Sequence, residues 1–199
     1  MDNFLSVFVG ISITIYLISF FTKNIITARR TGESVKAKSW KVQLLTFIVG
    51  ILYLITCLSV FVNRDLLFTI EILNIIYIKV VGAIFIIIAL IIGLSTLKGM
   101  RNSWRMGITK NQKTDLILDG FFRFCRNPYF LSYHLIFLGV FSIYPTIGFL
   151  IFYILFAILT HLLILDEEAF LLARHGKVYL DYKKKVNRYL TLGFWRINR

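Results

Sequence analysis

Five stretches of this chain carry no lysine, arginine, aspartate or glutamate: Phe4 to Phe21, Leu44 to Val62, Val80 to Leu97, Pro128 to Tyr144 and Ile147 to Leu165. As helices rising 1.5 Å per residue, each approaches the roughly 30 Å of a bilayer's hydrocarbon core. A helix on the surface of a soluble domain must interrupt its apolar stripe with charge every turn or two, and these do not. Composition agrees, with 58% hydrophobic residues, 17% charged residues and a mean hydropathy of +0.76, well beyond the balance of water-soluble domains. The expectation is an all-α integral membrane protein of about five transmembrane helices, organised as a single membrane domain over residues 1–199.

The first block follows Asp2 and no positively charged leader, so it is expected to be a retained helix and not a cleaved signal. The third apolar region runs from Leu66 to Leu97, too long for one span. Its charge-free part, Val80 to Leu97, is assigned to the bilayer, and Leu66 to Ile78, which contains Glu71, to the surface or to an extension beyond it. Pro145 and Gly148 mark a tight turn between the last two spans, which form a helical hairpin. The run Asp166 to His175 reads as a helix continuing past the bilayer, with Gly176 as a left-handed cap. Ser6 with Gly10, and Ala89 with Gly93, make small-residue faces for helix packing. Trp104 and Trp195 are expected at headgroup level. Cys57 in a span and Cys125 in a basic loop are expected to be free thiols.

Of the 23 lysines and arginines, 21 fall in three regions: Lys23 to Lys41, Lys98 to Arg126, and the segment after Leu165. With five spans all three share one side, which the positive-inside tendency makes the cytoplasm. The formal net charge of +13 therefore needs no nucleic-acid partner. A basic rim including Lys183, Lys184 and Lys185 would instead meet anionic membrane lipids, each nearby charge contributing on the order of 1 kcal/mol.

Polar groups concentrate at the ends of the final hairpin. Arg123, Arg126, Asn127 and Tyr129 stand at the start of the fourth span, and Asp166, Glu167 and Glu168 follow the fifth. Such opposed charges serve either as salt bridges anchoring the helices or as a site for a small charged molecule. His134 and Tyr133 fit a helix-to-helix hydrogen bond or a substrate path. His161, one helical face with Leu165 and Glu168, is either a packed histidine or a base.

The run DGFFRFCRNPYFLSYHLIFLG, Asp119 to Gly139, resembles the G-x-Y-x-x-x-R-[HN]-P-x-Y block of the isoprenylcysteine carboxyl methyltransferase and phospholipid methyltransferase superfamily. DEEAFLLARHGKVYLDYKKKV, Asp166 to Val186, resembles its E-E block followed by G-x-x-Y-x-x-Y, here Gly176, Tyr179 and Tyr182. The resemblance covers about the last 90 residues, dividing the chain into N-terminal helices, 1–97, and a methyltransferase-like catalytic region, 98–199. Asn127 stands where many members have His, and it cannot act as a general base near neutral pH. Phe130 occupies the usual motif tyrosine, with Tyr129 one place earlier, and Phe122 occupies the G-x-Y position.

The resemblance implies methyl transfer from S-adenosylmethionine to a lipophilic acceptor, an isoprenylcysteine-like carboxylate or a phospholipid-like molecule, in a pocket between the last two helices and the C-terminal segment. Arg126 and Glu168 are the implied catalytic residues. The implied cofactor-binding set is Arg123, Asn127, Pro128, Tyr129, Gly139, Glu167, Glu168, Tyr179 and Tyr182. Within it either glutamate could take the cofactor's ammonium or ribose, either arginine its carboxylate, and either tyrosine its adenine or sulfonium. A carboxylate acceptor would use Arg126 as a clamp, and an amine acceptor would need Glu168 or His161 to take a proton. The expected location is the plasma (inner) membrane with the site on its cytoplasmic side. The alternatives are a membrane reductase using a nicotinamide cofactor and a non-catalytic small transport or structural protein.

Overall fold

The computed structural model describes residues 2–32, 35, 39–58, 69–105, 107 and 115–191. The expected C-terminal tryptophan, Trp195, and the start of the Leu66 to Ile78 segment lie outside them, as does the side chain of Cys57. Five α-helices account for most of the described chain: α1 (Asp2–Thr31), α2 (Trp40–Leu58), α3 (Ile76–Gly99), α4 (Pro128–Ile143) and α5 (Ile147–Lys185). By length and composition α1, α3 and α5 are each sufficient to cross a membrane, while α4 is shorter at 16 residues. The protein is an all-α integral membrane protein.

Helix α1 runs 30 residues, well past the apolar block that ends at Phe21. Nothing breaks it before Gly32, whose φ of +69° belongs to a conformation that side chains disfavour. The extra turns carry Lys23, whose Nζ donates to the Arg101 carbonyl (2.7 Å), and Asn24, whose Oδ1 accepts from Trp104 Nε1 (2.6 Å). Trp104 is thereby buried, 4% exposed, and is a packing residue, not a headgroup anchor.

Helix α3 packs most extensively on α4, and its buried face repeats at helical spacing through Gly82, Ile86, Ala89 and Gly93. A Cβ built on Gly82 would lie 2.7 Å from the Gly139 carbonyl, and one on Gly139 would lie 2.7 Å from the Gly82 carbonyl. The two backbones touch there, as small residues permit in membrane helices. Ala89 is fully buried and Gly93 admits the Tyr16 ring, as expected of one small-residue pair. Gly10 of the other pair meets nothing within 4 Å, although Ser6 is buried and its Oγ accepts from Tyr144 Oη (2.6 Å).

Pro128 opens α4 at its first turn, where a missing N–H costs nothing. The α4–α5 turn passes through Tyr144 and Pro145 to Thr146, whose Oγ1 accepts from Phe149 N (3.2 Å) and caps α5. The hairpin is closed by Phe137 stacked on Phe156, centroids 4.0 Å apart, and by Thr160 Oγ1 on His134 Nε2 (3.3 Å). Residues 69 and 70 lie against this turn, with Thr69 bridged to Thr146 and Ile70 N donating to the Pro145 carbonyl. The segment before α3 is therefore at the end opposite the basic regions, and α3 starts at Ile76.

The apolar part of α5 ends at Leu165, yet the helix continues to Lys185. Gly176 does have positive φ, but with ψ −123° it is a kink, not a left-handed cap, and helix resumes beyond it. All three basic regions meet at one end, as the contacts of Lys23 with Arg101 and of Lys41 with Asp166 require.

Candidate active site

The turn Arg126-Asn127-Pro128, the RNP turn, enters α4 beside the point where α5 leaves its apolar section. There Arg126 Nη2 and Nε donate to Glu168 Oε1 at 2.8 and 3.2 Å, both side chains being less than a tenth exposed. Arg188, from the segment after α5, donates to the same carboxylate through Nε (3.0 Å) and Nη2 (3.1 Å). Arg126 also spends Nη1 on the carbonyls of Val186 (2.7 Å) and Lys183 (3.1 Å). The chain after α5 is laid along the RNP turn by Arg126 N on Asn187 O, Thr191 N on Phe124 O and Asn127 Nδ2 on Arg188 O. Burial alone would raise the Glu168 carboxyl, but the hydrogen bonds from Arg188 and Arg126 and their charges hold it down to about 2.

Adjacent residues on a helix point about 100° apart, so Glu167 faces elsewhere. It lines two cavities, one of about 430 Å³ and one of about 80 Å³. Among the described residues it has no hydrogen-bond or ion-pair partner. Burial, reinforced by the neighbouring Glu168 charge, pushes its carboxyl up to about 7.

The larger cavity is walled by apolar residues of α1 and α2 (Leu17, Phe20, Val42, Leu45, Val49), by Trp104 and by Tyr129, Phe130 and Tyr133 of α4. The smaller lies under the polar part of α5, between Asp115 to Ile117 and the rings of Tyr179 and Tyr182. Met100, Arg105, Gly107, Phe122, Arg126, Asn127 and Glu167 line both and form the seam between them. The pocket therefore extends well into the N-terminal helices and is not confined to the last two helices and the C-terminal segment.

Of the residues the sequence put forward, Arg126, Asn127, Glu167, Glu168, Tyr179 and Tyr182 come together here, with Pro128 and Tyr129 on the larger cavity. Tyr129 is 7% exposed and its hydroxyl has no partner among the described residues, amid Tyr16, Phe20, Trp104 and Tyr133 with centroids 4.9 to 6.5 Å away. Tyr182 Oη donates to the Phe122 carbonyl (2.7 Å), and burial raises the phenols of both C-terminal tyrosines, Tyr179 to about 12. Arg123 is exposed, pairs with Asp119 (3.1 Å) and lines neither cavity. Gly139 is set apart in the α3–α4 crossing and also lines neither. His161 Nδ1 pairs with Tyr189 Oη (2.7 Å) and lines neither cavity. Cys125 is a buried free thiol that burial pushes up to about 12, so it stays protonated. Sequence reasoning did not place Arg105, Trp104 or Arg188 at these cavities or the Glu168 cluster. Arg188 gave no signal, because its role depends on the turn that folds it back onto Glu168.

A family model described as phospholipid methyltransferase matches residues 77–178, from the first turn of α3 into the polar part of α5 and ending just before Tyr179. No curated protein and no solved structure matches the chain. The matched region holds the RNP turn, both glutamates and the seam, and it gives no support to a nicotinamide reductase or a non-catalytic protein. With about half its length matched, this chain belongs to the phospholipid methyltransferase family and is a membrane methyltransferase.

Proposed function

We propose that the protein transfers a methyl group from S-adenosylmethionine to a lipophilic acceptor, isoprenylcysteine-like or phospholipid-like, from a basic face that lies on the cytoplasmic side of the plasma (inner) membrane. The observation that carries this reading is Glu167, a carboxylate with no hydrogen-bond or ion-pair partner among the described residues, at the seam between the two cavities. The residues fit the cofactor's chemistry. Glu167 supplies an anion for its ammonium or sulfonium, and Tyr179 and Tyr182 supply ring faces for its purine, while the larger cavity, within the usual ligand-pocket range of about 300–1,000 Å³, takes the acceptor. When bound, S-adenosylmethionine supplies an electrophilic methyl group.

Everything else is positioning. Arg126 and Glu168 act through each other and through the chain after α5, fixing the turn that carries Asn127 and the helix that carries Glu167. With four of its five donors on Glu168 and two carbonyls, Arg126 is a buttress of the site in this reading, not a clamp for an acceptor carboxylate. The α1 and α2 walls exclude water from the acceptor side, which favours attack on a cationic electrophile. Tyr129 Oη offers the acceptor headgroup a hydrogen bond. The basic end is assigned to the cytoplasm by the positive-inside tendency, which also gives the polar ligand access from solution and the lipid access from the bilayer.

Calorimetry of S-adenosylmethionine on the detergent-solubilised chain tests this. The parent is expected to bind at micromolar concentration, and Glu167→Gln to bind about tenfold or more weakly, the loss of a charge-assisted contact, while unfolding as cooperatively as the parent. A folded parent that binds nothing would overturn the reading.

A further inference from the structure

Helix α2 separates the larger cavity from the bilayer by no more than its own thickness. Val42, Leu45, Thr46 and Val49 recur at three- and four-residue spacing, so they share one helical face, and all four line the cavity. Leu44, Phe47 and Leu54 lie on the opposite face and are exposed, as on a helix turned to lipid. The inward face, which a packed bundle would fill with a neighbouring helix, thus meets a cavity whose far wall is Tyr129, Phe130 and Tyr133 of α4.

This helix is also lightly tied. It packs on α1 and α5, and among the described residues its one side-chain polar bond to another helix runs from Lys41 Nζ to Asp166 Oδ2 of α5 (2.5 Å). By contrast, α1 is bound to α4 and its C-terminal end through Tyr16 with Ser132 and through Ser6 with Tyr144, each at 2.6 Å. The Lys41–Asp166 pair stands at the rim of the cavity, which Asp166 lines, as do Ser39 and Val42 to either side of Lys41. Both side chains are partly exposed, 21% and 45%. Such pairs stabilise weakly, so breaking this one shifts an opening equilibrium by about two- to fivefold. A contact of that strength holds a helix in place and still lets it move.

Taking the larger cavity as the acceptor's, as proposed above, we infer that α2 is a side gate through which the acceptor's lipid chain enters from the bilayer, latched by Lys41 and Asp166. Opening frees the basic end of α2 from α5. Asp166 directly precedes Glu167, so a chain admitted there leaves its headgroup end beside the seam.

Trp104 lines the cavity and is 4% exposed, which makes it the reporter. Trp40→Phe with Trp195→Phe leaves it the sole tryptophan of three. The full chain in dodecyl maltoside is mixed by stopped flow with dodecyl maltoside brominated in its alkyl chain, a probe without charge, and fluorescence is followed. Bromine quenches at close range, so a slow phase after exchange at the outer surface reports chains entering the cavity. Lys41→Gln and Asp166→Asn are each expected to accelerate that phase about two- to fivefold. The exchanged pair, Lys41→Asp with Asp166→Lys, returns it to near the parent's rate. A tie that serves only the fold would lower the unfolding temperature of the single variants and leave the slow phase unchanged, which overturns the inference. An exchanged pair that keeps the faster rate, or a parent without slow quenching, overturns it too. Should one single variant not unfold cooperatively, the other decides. The readout needs neither cofactor nor methyl transfer, so its failure leaves the methyltransferase reading standing. That reading falls separately, if a folded parent binds no S-adenosylmethionine.

Discussion

Glu167 and Glu168 differ in their partners, and their pH behaviour should separate them. Glu168 is depressed to about 2 by two arginines that more than offset its burial. Its stabilisation is therefore fully present above the unfolded value near 4.5 and lost as pH falls toward 2. Glu168→Ala leaves two arginines without their carboxylate, and removing one partner from a buried pair costs about 3–5 kcal/mol. It should unfold at much lower temperature than the parent at pH 7. Glu167 is raised to about 7, so its ionisation weakens the ligand-free fold as pH rises from near 4.5 through 7. Glu167→Gln should accordingly be at least as stable as the parent at pH 8, where thermal unfolding of both variants decides the matter. If Glu167→Gln were the more damaging change, the division of roles would be wrong. The acidic pair was legible in the sequence, but which member lines the cavities was not. That depends on Arg188, twenty positions away, returning to the same carboxylate.

At the scale of elements, hydropathy reported where lipid touches a helix and not where the helix ends. Hence α1 and α5 overran their apolar blocks, and Trp104 proved to be packed beneath the α1 extension. Gly139 illustrates the same gap. Motif position associated it with the cofactor, whereas contact with Gly82 across α3 and α4 explains its lack of a side chain. A methyl at Gly139 would sit 2.7 Å from the Gly82 carbonyl and 2.6 Å from Ile86 Cγ1. Gly139→Ala should therefore destabilise by about 1–3 kcal/mol, the usual range for overpacking. Cofactor affinity of the folded fraction should not change. Lost affinity with unaltered unfolding would instead place Gly139 in the binding site.

Across the whole molecule, the family-matched region carries the seam and the glutamates, while α1 and α2, which precede residue 77, wall the larger cavity. The sequence marked these helices as generic apolar spans because a cavity-facing leucine and a lipid-facing leucine look the same in one dimension. Their packing separates them: Val42 and Leu45 line the cavity, whereas Phe47 is 65% exposed on the outside of the same helix. If the two compartments divide acceptor from cofactor, bulk added to the α2 wall should affect only the first. Val49→Trp fills part of the 430 Å³ cavity from the side remote from Tyr179 and Tyr182. Even one methylene of misfit in an apolar pocket changes kcat/KM by about tenfold or more, so transfer to a long-chain acceptor should fall at least that far. The calorimetric affinity for S-adenosylmethionine should stay within about twofold of the parent, since distant sites couple weakly. Equal losses in both measurements would mean that cofactor and acceptor share the larger cavity, and that the smaller one serves only the fold.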